Sequence, residues 1–238
     1  NFEYFSEDPL ITGYIGASVI KGLHKAGKYG SLKHYALNNQ ETNRFSNEVW
    51  VSNRAFREIY HRSFEYIIKN ADAKVIMSSY NYINGYHSAS HQTLYHTLKL
   101  EGFKGIIISD WWAHLNDVET PLDRTLLSKM VLANHDLYMV VKDTTKYKSD
   151  LEVSLKNKVI NRGHLVTLAY NILKFIYNIK PVDKKIPSLN IKVNGKTHNK
   201  GIIEEKVNEN LSLEYNYIYN KNAAVILTEI PIHIIPPL

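Results

Sequence analysis

The run Gly105-Ile106-Ile107-Ile108 has no polar alternation, and it stops abruptly at Ser109-Asp110-Trp111-Trp112. Consecutive β-branched residues that are apolar on both faces fit a short strand buried on both sides, as in a parallel sheet covered by helices. Asp110 then stands at the C-terminal end of that strand, where the loops of a parallel α/β fold collect ligands and reacting groups. A carboxylate there can act as a nucleophile or base, or it can cap the next helix. The stretch alone leaves both readings open.

The rest of the chain repeats the pattern. Ser6-Glu7-Asp8-Pro9 supplies N-cap acceptors and a first-turn proline for a helix from Asp8 to Ala26. A strand over Ser31–Tyr35 follows, and then the polar loop Ala36–Arg44, whose Asn38, Asn39 and Gln40 amides match the hydroxyls of a polyhydroxylated ligand. Helical spacing returns over Ser52–Lys69, and a β-rich run over Lys74–Asn81. A helix over Ser90–Leu100 leads to the Asp110 strand. After it come a helix over Glu119–Ala133, a strand over Asp136–Val141 and helices over Ser149–Asn161 and Gly163–Asn178. Strands and helices alternate about every 30 to 45 residues, the rhythm of βα units. Beyond Pro181 the chain turns rich in Lys and Asn. Two β-prone runs (Leu189–Val193 and Ala223–Thr228) flank a turn signal at Asn194-Gly195, and the final residues 230–238 hold too many prolines for an interior strand or helix. The expectation is an α/β fold, a partial TIM-type (β/α) barrel over residues 1–181, with a short C-terminal extension over 182–238 that is a linker or the start of a second domain.

Composition narrows the function classes. With 44% hydrophobic and 22% charged residues the chain suits a globular fold. The net charge of +6, from 29 Lys and Arg against 23 Asp and Glu, is spread without a basic block, so nucleic acid is set aside as a partner. No apolar run reaches the roughly 18 residues of a membrane span. There is no cysteine, hence no disulfide framework or thiolate metal site. His87, His91 and His96 lack the acidic partner of a zinc-protease helix, and no phosphate loop or Gly-x-Ser-x-Gly elbow is present, so no metal or cofactor is expected. The start at Asn1, without Met or a leader pattern, is read as that of a processed or partial chain.

Four strand ends carry Lys33 and His34, Tyr80 and Asn81, Asp110 and Trp111, and Asp136. Parallel neighbours would bring them to one rim. A Lys and an Arg near a carboxylate keep it ionised, as a nucleophile requires, and Trp111 and Trp112 offer flat apolar faces on which a sugar ring can stack.

Asn1–Pro9, Lys33–Arg44, Met77–Asn81 with Asn84-Gly85, and Ser109-Asp110-Trp111 resemble, in order and spacing over about residues 1–180, successive motifs of the family 3 glycoside hydrolases of the β-glucosidase type. The resemblance implies a retaining hydrolase of β-linked glucosides or oligosaccharides, with Asp110 as the nucleophile that forms a covalent glycosyl-enzyme. Lys33, His34, Arg44 and Tyr80 match residues lining the glucose subsite, with Met77 and Trp111 beside them. Members of the family normally carry a half-barrel upstream of this first motif and a sandwich domain downstream that supplies the acid/base. Glu204, Glu205, Glu214 and Glu229 sit in no acid/base motif. The Lys-His run continues as Tyr35-Ala36-Leu37-Asn38, unlike the Pro-Gly-His-Gly of the N-acetylglucosaminidase branch. Trp112, where members often have Gly, and Asn134-His135-Asp136 are read as relaxed constraint. The alternative is therefore an inactive remnant that binds sugar weakly. In either case the open strand edges at Lys33 and Tyr138 favour self-association or cover by the tail.

Overall fold

The computed structural model describes residues 4–118, 121–139, 148–179, 191–193, 196–198 and 227–231. In chain order the elements are α1 (Pro9–Lys25), β1 (Tyr29–Tyr35), β2 (Glu48–Val49), and α2 (Asn53–Ala55), which runs through a π turn at Phe56–Tyr60 into α3 (Arg62–Ala71). Next come β3 (Val75–Ser78), β4 (Tyr82–Ile83), β5 (Tyr86–His87), α4 (Gln92–Leu100) and β6 (Ile106–Ile108). The helices α5 (Leu127–Leu132), α6 (Leu151–Lys156) and α7 (Arg162–Asn178) follow. Two compact units result, one of Asn1–Ile179 with Leu227–Leu238 and one of Lys180–Ile226. In the second, β7 (Ile191–Val193) and β8 (Lys196–His198) pair as an antiparallel hairpin. The last strand, β9 (Leu227–Pro231), belongs to the first unit.

The sheet of the first unit has the order β6-β3-β1-β9, and every pairing in it is parallel. Its residues alternate between two buried faces. Leu32, Ile76 and Ile107 point to one side and pack against Ile20 of α1, Phe64 and Ile67 of α3 and Leu98 of α4. Val75, Met77, Ile106 and Ile108 point to the other, against Trp111, Met139 and Phe175 of α7. The unbroken isoleucine run is thus buried on both sides as its sequence predicts, and each such side chain stabilises the fold by about 1.5–3 kcal/mol.

Local chemistry sets the element ends. The Asp8 carboxylate accepts from Leu10 N at 2.7 Å and Ile11 N at 3.1 Å, capping α1 ahead of Pro9. Gly13 lets α3 come close, since a Cβ there would lie 3.0 Å from Tyr66 Cβ. Gly105 is needed for a harder reason: a Cβ would stand 2.1 Å from the Lys74 carbonyl oxygen. That carbonyl accepts Ile106 N at 3.0 Å, so β6 enters the sheet tight against β3.

Several expectations are corrected. The helix expected over Ser52–Lys69 is interrupted by the π turn, whose His61 N–Phe56 O bond of 2.7 Å brings His61 Nδ1 to 2.9 Å from the Tyr35 hydroxyl. Of the helix expected over Glu119–Ala133, residues 119 and 120 lie outside the described residues, and the described part is helical only in α5. Before α5, Asp123 turns the chain by accepting Thr125 N at 2.6 Å, while its own N–H binds Asn116 Oδ1 at 2.9 Å. In place of a strand over Asp136–Val141, the described part makes one bridge, Ile108 to Leu137, and residues 140–141 lie outside the described residues. Asn194, Gly195 and residues 223–226 also lie outside them. The described part of the run expected from Ala223 lies in β9, which ends on Pro231 at the edge of the sheet, where a residue lacking an N–H is tolerated. No helix among the described residues is long and apolar enough to cross a membrane.

Candidate active site

The C-terminal ends of β1, β3 and β6 meet at one rim. β1 brings Lys33 and His34, both buried, in a stretch with cis peptide bonds at Lys33–His34 and Tyr35–Ala36. β6 brings Asp110, only 6% exposed. Asp110 Oδ2 lies 3.1 Å from His34 Nε2, and Oδ1 accepts Trp111 N–H at 2.7 Å. His34 Nδ1 faces the Asn38 amide nitrogen at 3.3 Å. An amide NH2 can only donate, so the pattern places the imidazole proton on Nε2, aimed at the carboxylate. Both oxygens of Asp110 are held by donors.

The loop after β3 adds Tyr80, whose hydroxyl donates to Trp111 O at 2.9 Å. The Arg44 guanidinium stands 4.7 Å from the centre of the Tyr80 ring and 5.2 Å from that of Phe45, and it pairs with Glu41 at 2.9 Å. Met77 lies on the inner face of β3 in one cluster with Ile108 and Trp111. Lys33 is next to His34 on β1, and its register partner is Pro231 of β9. Hydrogen bonds and packing therefore join His34, Asp110, Trp111, Tyr80, Arg44 and Met77 in one neighbourhood, with Lys33 at its β1 side.

Sequence reasoning placed other residues differently. Asn38 is buried rather than presented to a ligand, its side-chain Nδ2 facing His34 and its backbone carbonyl accepting the Tyr4 hydroxyl. Gln40 Nε2 bonds Thr42 O at 2.9 Å. Asp136 does not reach the rim: it accepts Ile107 N at 2.8 Å and Asn171 Nδ2 at 2.8 Å, at mid-strand. Burial pushes its carboxyl up, while those two donors and Lys99 pull it back. His87 and His91 share no helix. His87 is a buried ring on β5, 4.5 Å from Tyr82 and 5.7 Å from His114, and His91 lies 5.5 Å from Tyr86. Among the described residues no group of three potential metal ligands occurs.

A layer of serines escaped sequence reasoning altogether. Ser88 Oγ donates to Tyr35 O at 2.8 Å, Ser79 Oγ to Ala36 O at 2.8 Å, and Ser109 Oγ accepts Met139 N at 2.8 Å. Ser79 and Ser88 tie the chain after β3 to the end of β1, and Ser109 ties the end of β6 to the segment after Leu137. Only Ser109, directly after the isoleucine run, carries the signal of a small polar residue closing an apolar strand.

The sequence that builds this rim, with its doubly held carboxylate at the end of the parallel strand β6, has relatives. Residues 1–174 match the glycosyl hydrolase family 3 N-terminal domain. The chain belongs to that family. Among its relatives, a β-glucosidase of Ruminococcus albus is 38% identical over 189 residues, covering 78% of this chain and 20% of the relative. An exo-α-(1→6)-L-arabinopyranosidase of Bifidobacterium longum is 49% identical over 114 residues, which is 47% of this chain and 15% of that protein. In structure, a β-glucosidase from Paenibacillus barengoltzii superposes with a TM-score of 0.74 at 40% identity, over 79% of this chain and 21% of that one. A β-glucosidase from Thermotoga neapolitana solved with α-D-glucose gives 0.66 at 32% identity, over 74% and 24%. The chain thus spans about a fifth of the length of these family 3 proteins.

Proposed function

We propose that this chain forms part of the catalytic (β/α) barrel, over residues 1–181, of a retaining hydrolase of β-linked glucosides, with Asp110 as nucleophile. The reading rests on one observation: a buried carboxylate at the end of the parallel strand β6, both of its oxygens held by donors, in a chain of family 3. Attack of an Asp110 oxygen on the anomeric carbon forms a glycosyl ester as the bond to the leaving oxygen breaks. That oxygen departs with a proton from an acid, and water then cleaves the ester. His34 orients the carboxylate through Nε2–H, and Lys33, Arg44 and Tyr80 line the sugar subsite with Met77 and Trp111. A complete barrel of this kind takes about 250 residues and eight βα units. The parallel order β6-β3-β1, with α1, α3 and α4 packed on one face, is consistent with a segment of that ring.

A second reading, a remnant that binds sugar without turnover, is motivated by Asn134-His135-Asp136, which departs from the family's pattern. A 2-fluoro-glucoside with a good leaving group separates the two. Its first step needs only the nucleophile, so mass spectrometry should find one glycosyl adduct on the peptide holding Asp110, absent in Asp110→Asn. A folded protein that takes no label, or takes it elsewhere, supports the remnant.

A further inference from the structure

The residue after Trp111 occupies a conformation that its side chain makes expensive. Ala113 N bonds Asp110 O at 3.3 Å, closing a turn over Trp111 and Trp112 directly after the carboxylate. Trp112 holds φ 55 at the third position of this turn, the place that glycine fills without strain. A bulky side chain there is an outlier, and burial does not compensate for it, because Trp112 is 45% exposed.

The turn is also fixed. The peptide joining Trp111 to Trp112 is bonded at both ends: its carbonyl accepts the Tyr80 hydroxyl at 2.9 Å, and its N–H donates to Met139 O at 3.3 Å. The two anchors come from opposite sides of β6, one from the loop after β3 and one from the segment after Leu137. The position of the Trp112 Cα relative to Asp110 is therefore set by the fold. An exposed indole on a rigid mount, two residues from a buried carboxylate at a sugar-binding rim, is preorganised for a flat ring.

We infer that Trp112 is a stacking platform for a second ring, a pyranose or an aryl group, attached to the sugar that Asp110 engages, and that the substrate class is ring-bearing glucosides rather than alkyl ones. This rests on the proposed sugar site at Asp110. It replaces relaxed constraint as the account of an indole at this turn.

The test uses the full chain and two non-hydrolysable probes, methyl β-thioglucoside, with one ring, and phenyl β-thioglucoside, with two, titrated against the wild type, Trp112→Gly and Trp112→Phe. Loss of the platform should weaken the phenyl probe about tenfold in Trp112→Gly while the methyl probe moves less than about twofold, and Trp112→Phe should recover most of the loss. Because glycine relieves the turn, Trp112→Gly should also melt no lower than the wild type. Equal effects on both probes, or a lowered melting temperature with no ring-dependent change, overturn the platform and make Trp112 a packing residue. A wild type that binds the methyl probe but gains nothing from the phenyl ring refutes the platform and leaves the sugar site standing. Failure to bind either probe refutes the site, and the platform with it.

Discussion

His34 Nε2 and Asp110 Oδ2 lie 3.1 Å apart although their strands, β1 and β6, are not neighbours. β3 lies between them, so the strand axes are about two spacings, or ~9.5 Å, apart. The two side chains lean toward each other across the end of β3, where the chain carries Ser78 and Ser79. The pair is therefore a property of three strands in register.

Replacing the carboxylate removes the proposed nucleophile while keeping the shape. Asp110→Asn should lower the turnover of an aryl β-glucoside by about 10³-fold or more with an unchanged melting temperature. Undiminished turnover would assign the chemistry to another residue.

Asn38 acts through His34. With its side chain cut back in Asn38→Ala, the imidazole loses the partner that fixes its tautomer, and the fold loses about 1 kcal/mol, read from urea unfolding. The label on Asp110 should form more slowly in proportion. A variant that loses stability but labels at the wild-type rate would limit Asn38 to packing.

Burial pushes His87 and His135 down to about 3 and His61 down to about 4 from the ordinary 6.5. These rings are neutral in the fold and bind protons once unfolded. Stability is then full above pH ~6.5 and falls as the pH drops toward those folded values, by up to ~1.4 kcal/mol per pH unit for each ring. Asp136, pushed up by its burial, has the opposite sign near the acid end of this window. Urea midpoints should drop steadily between about pH 6.5 and 4.5. A flat profile there would mean that these histidines take up protons in the folded state.

One face of α1 is apolar and uncovered: Leu10, Ile11, Tyr14, Ile15 and Val19 are all exposed among the described residues. The protein should therefore self-associate with rising concentration. Ile15→Glu should shift light scattering toward the monomer with little change in melting temperature, whereas an unchanged mass distribution would place the association elsewhere.

β9 covers the outer edge of β1 through five paired positions, from Tyr29 with Leu227 to Lys33 with Pro231. Ending the chain at Ile226 should uncover the N–H and C=O groups of β1 and raise aggregation. A truncated protein that melts as before and stays dispersed would show that the edge needs no cover.

Much of this was legible in the residues. Apolar runs located β3 and β6, because a strand buried on both faces leaves no polar alternation to confuse it with an exposed one. Asp8-Pro9 gave the start of α1 to within a residue. The Asp110 rim was visible in motif order. What could not be read were features that tertiary contacts decide. The π turn at Phe56–Tyr60 exists because His61 has to meet Tyr35, two elements away in sequence. Asn38 looked like a ligand-binding amide until His34 became its neighbour. Asp136 carries nothing in its sequence that says it will cap the middle of β6 instead of joining the rim. The pairing of Leu227–Pro231 with β1, a strand almost two hundred positions earlier in the chain, is likewise a tertiary contact that no local pattern announces.

The central position of β3 bears on how a map of damaging substitutions in this protein would be interpreted. β3 supplies neither member of the His34–Asp110 pair, yet it sets the gap that both side chains span. Its entry is fixed where the Lys74 carbonyl crowds Gly105. A lesion at either place would abolish function with the reactive groups untouched, and an observer scoring activity alone would count these positions as chemistry. Stability measured alongside activity would separate the scaffold from the reagents.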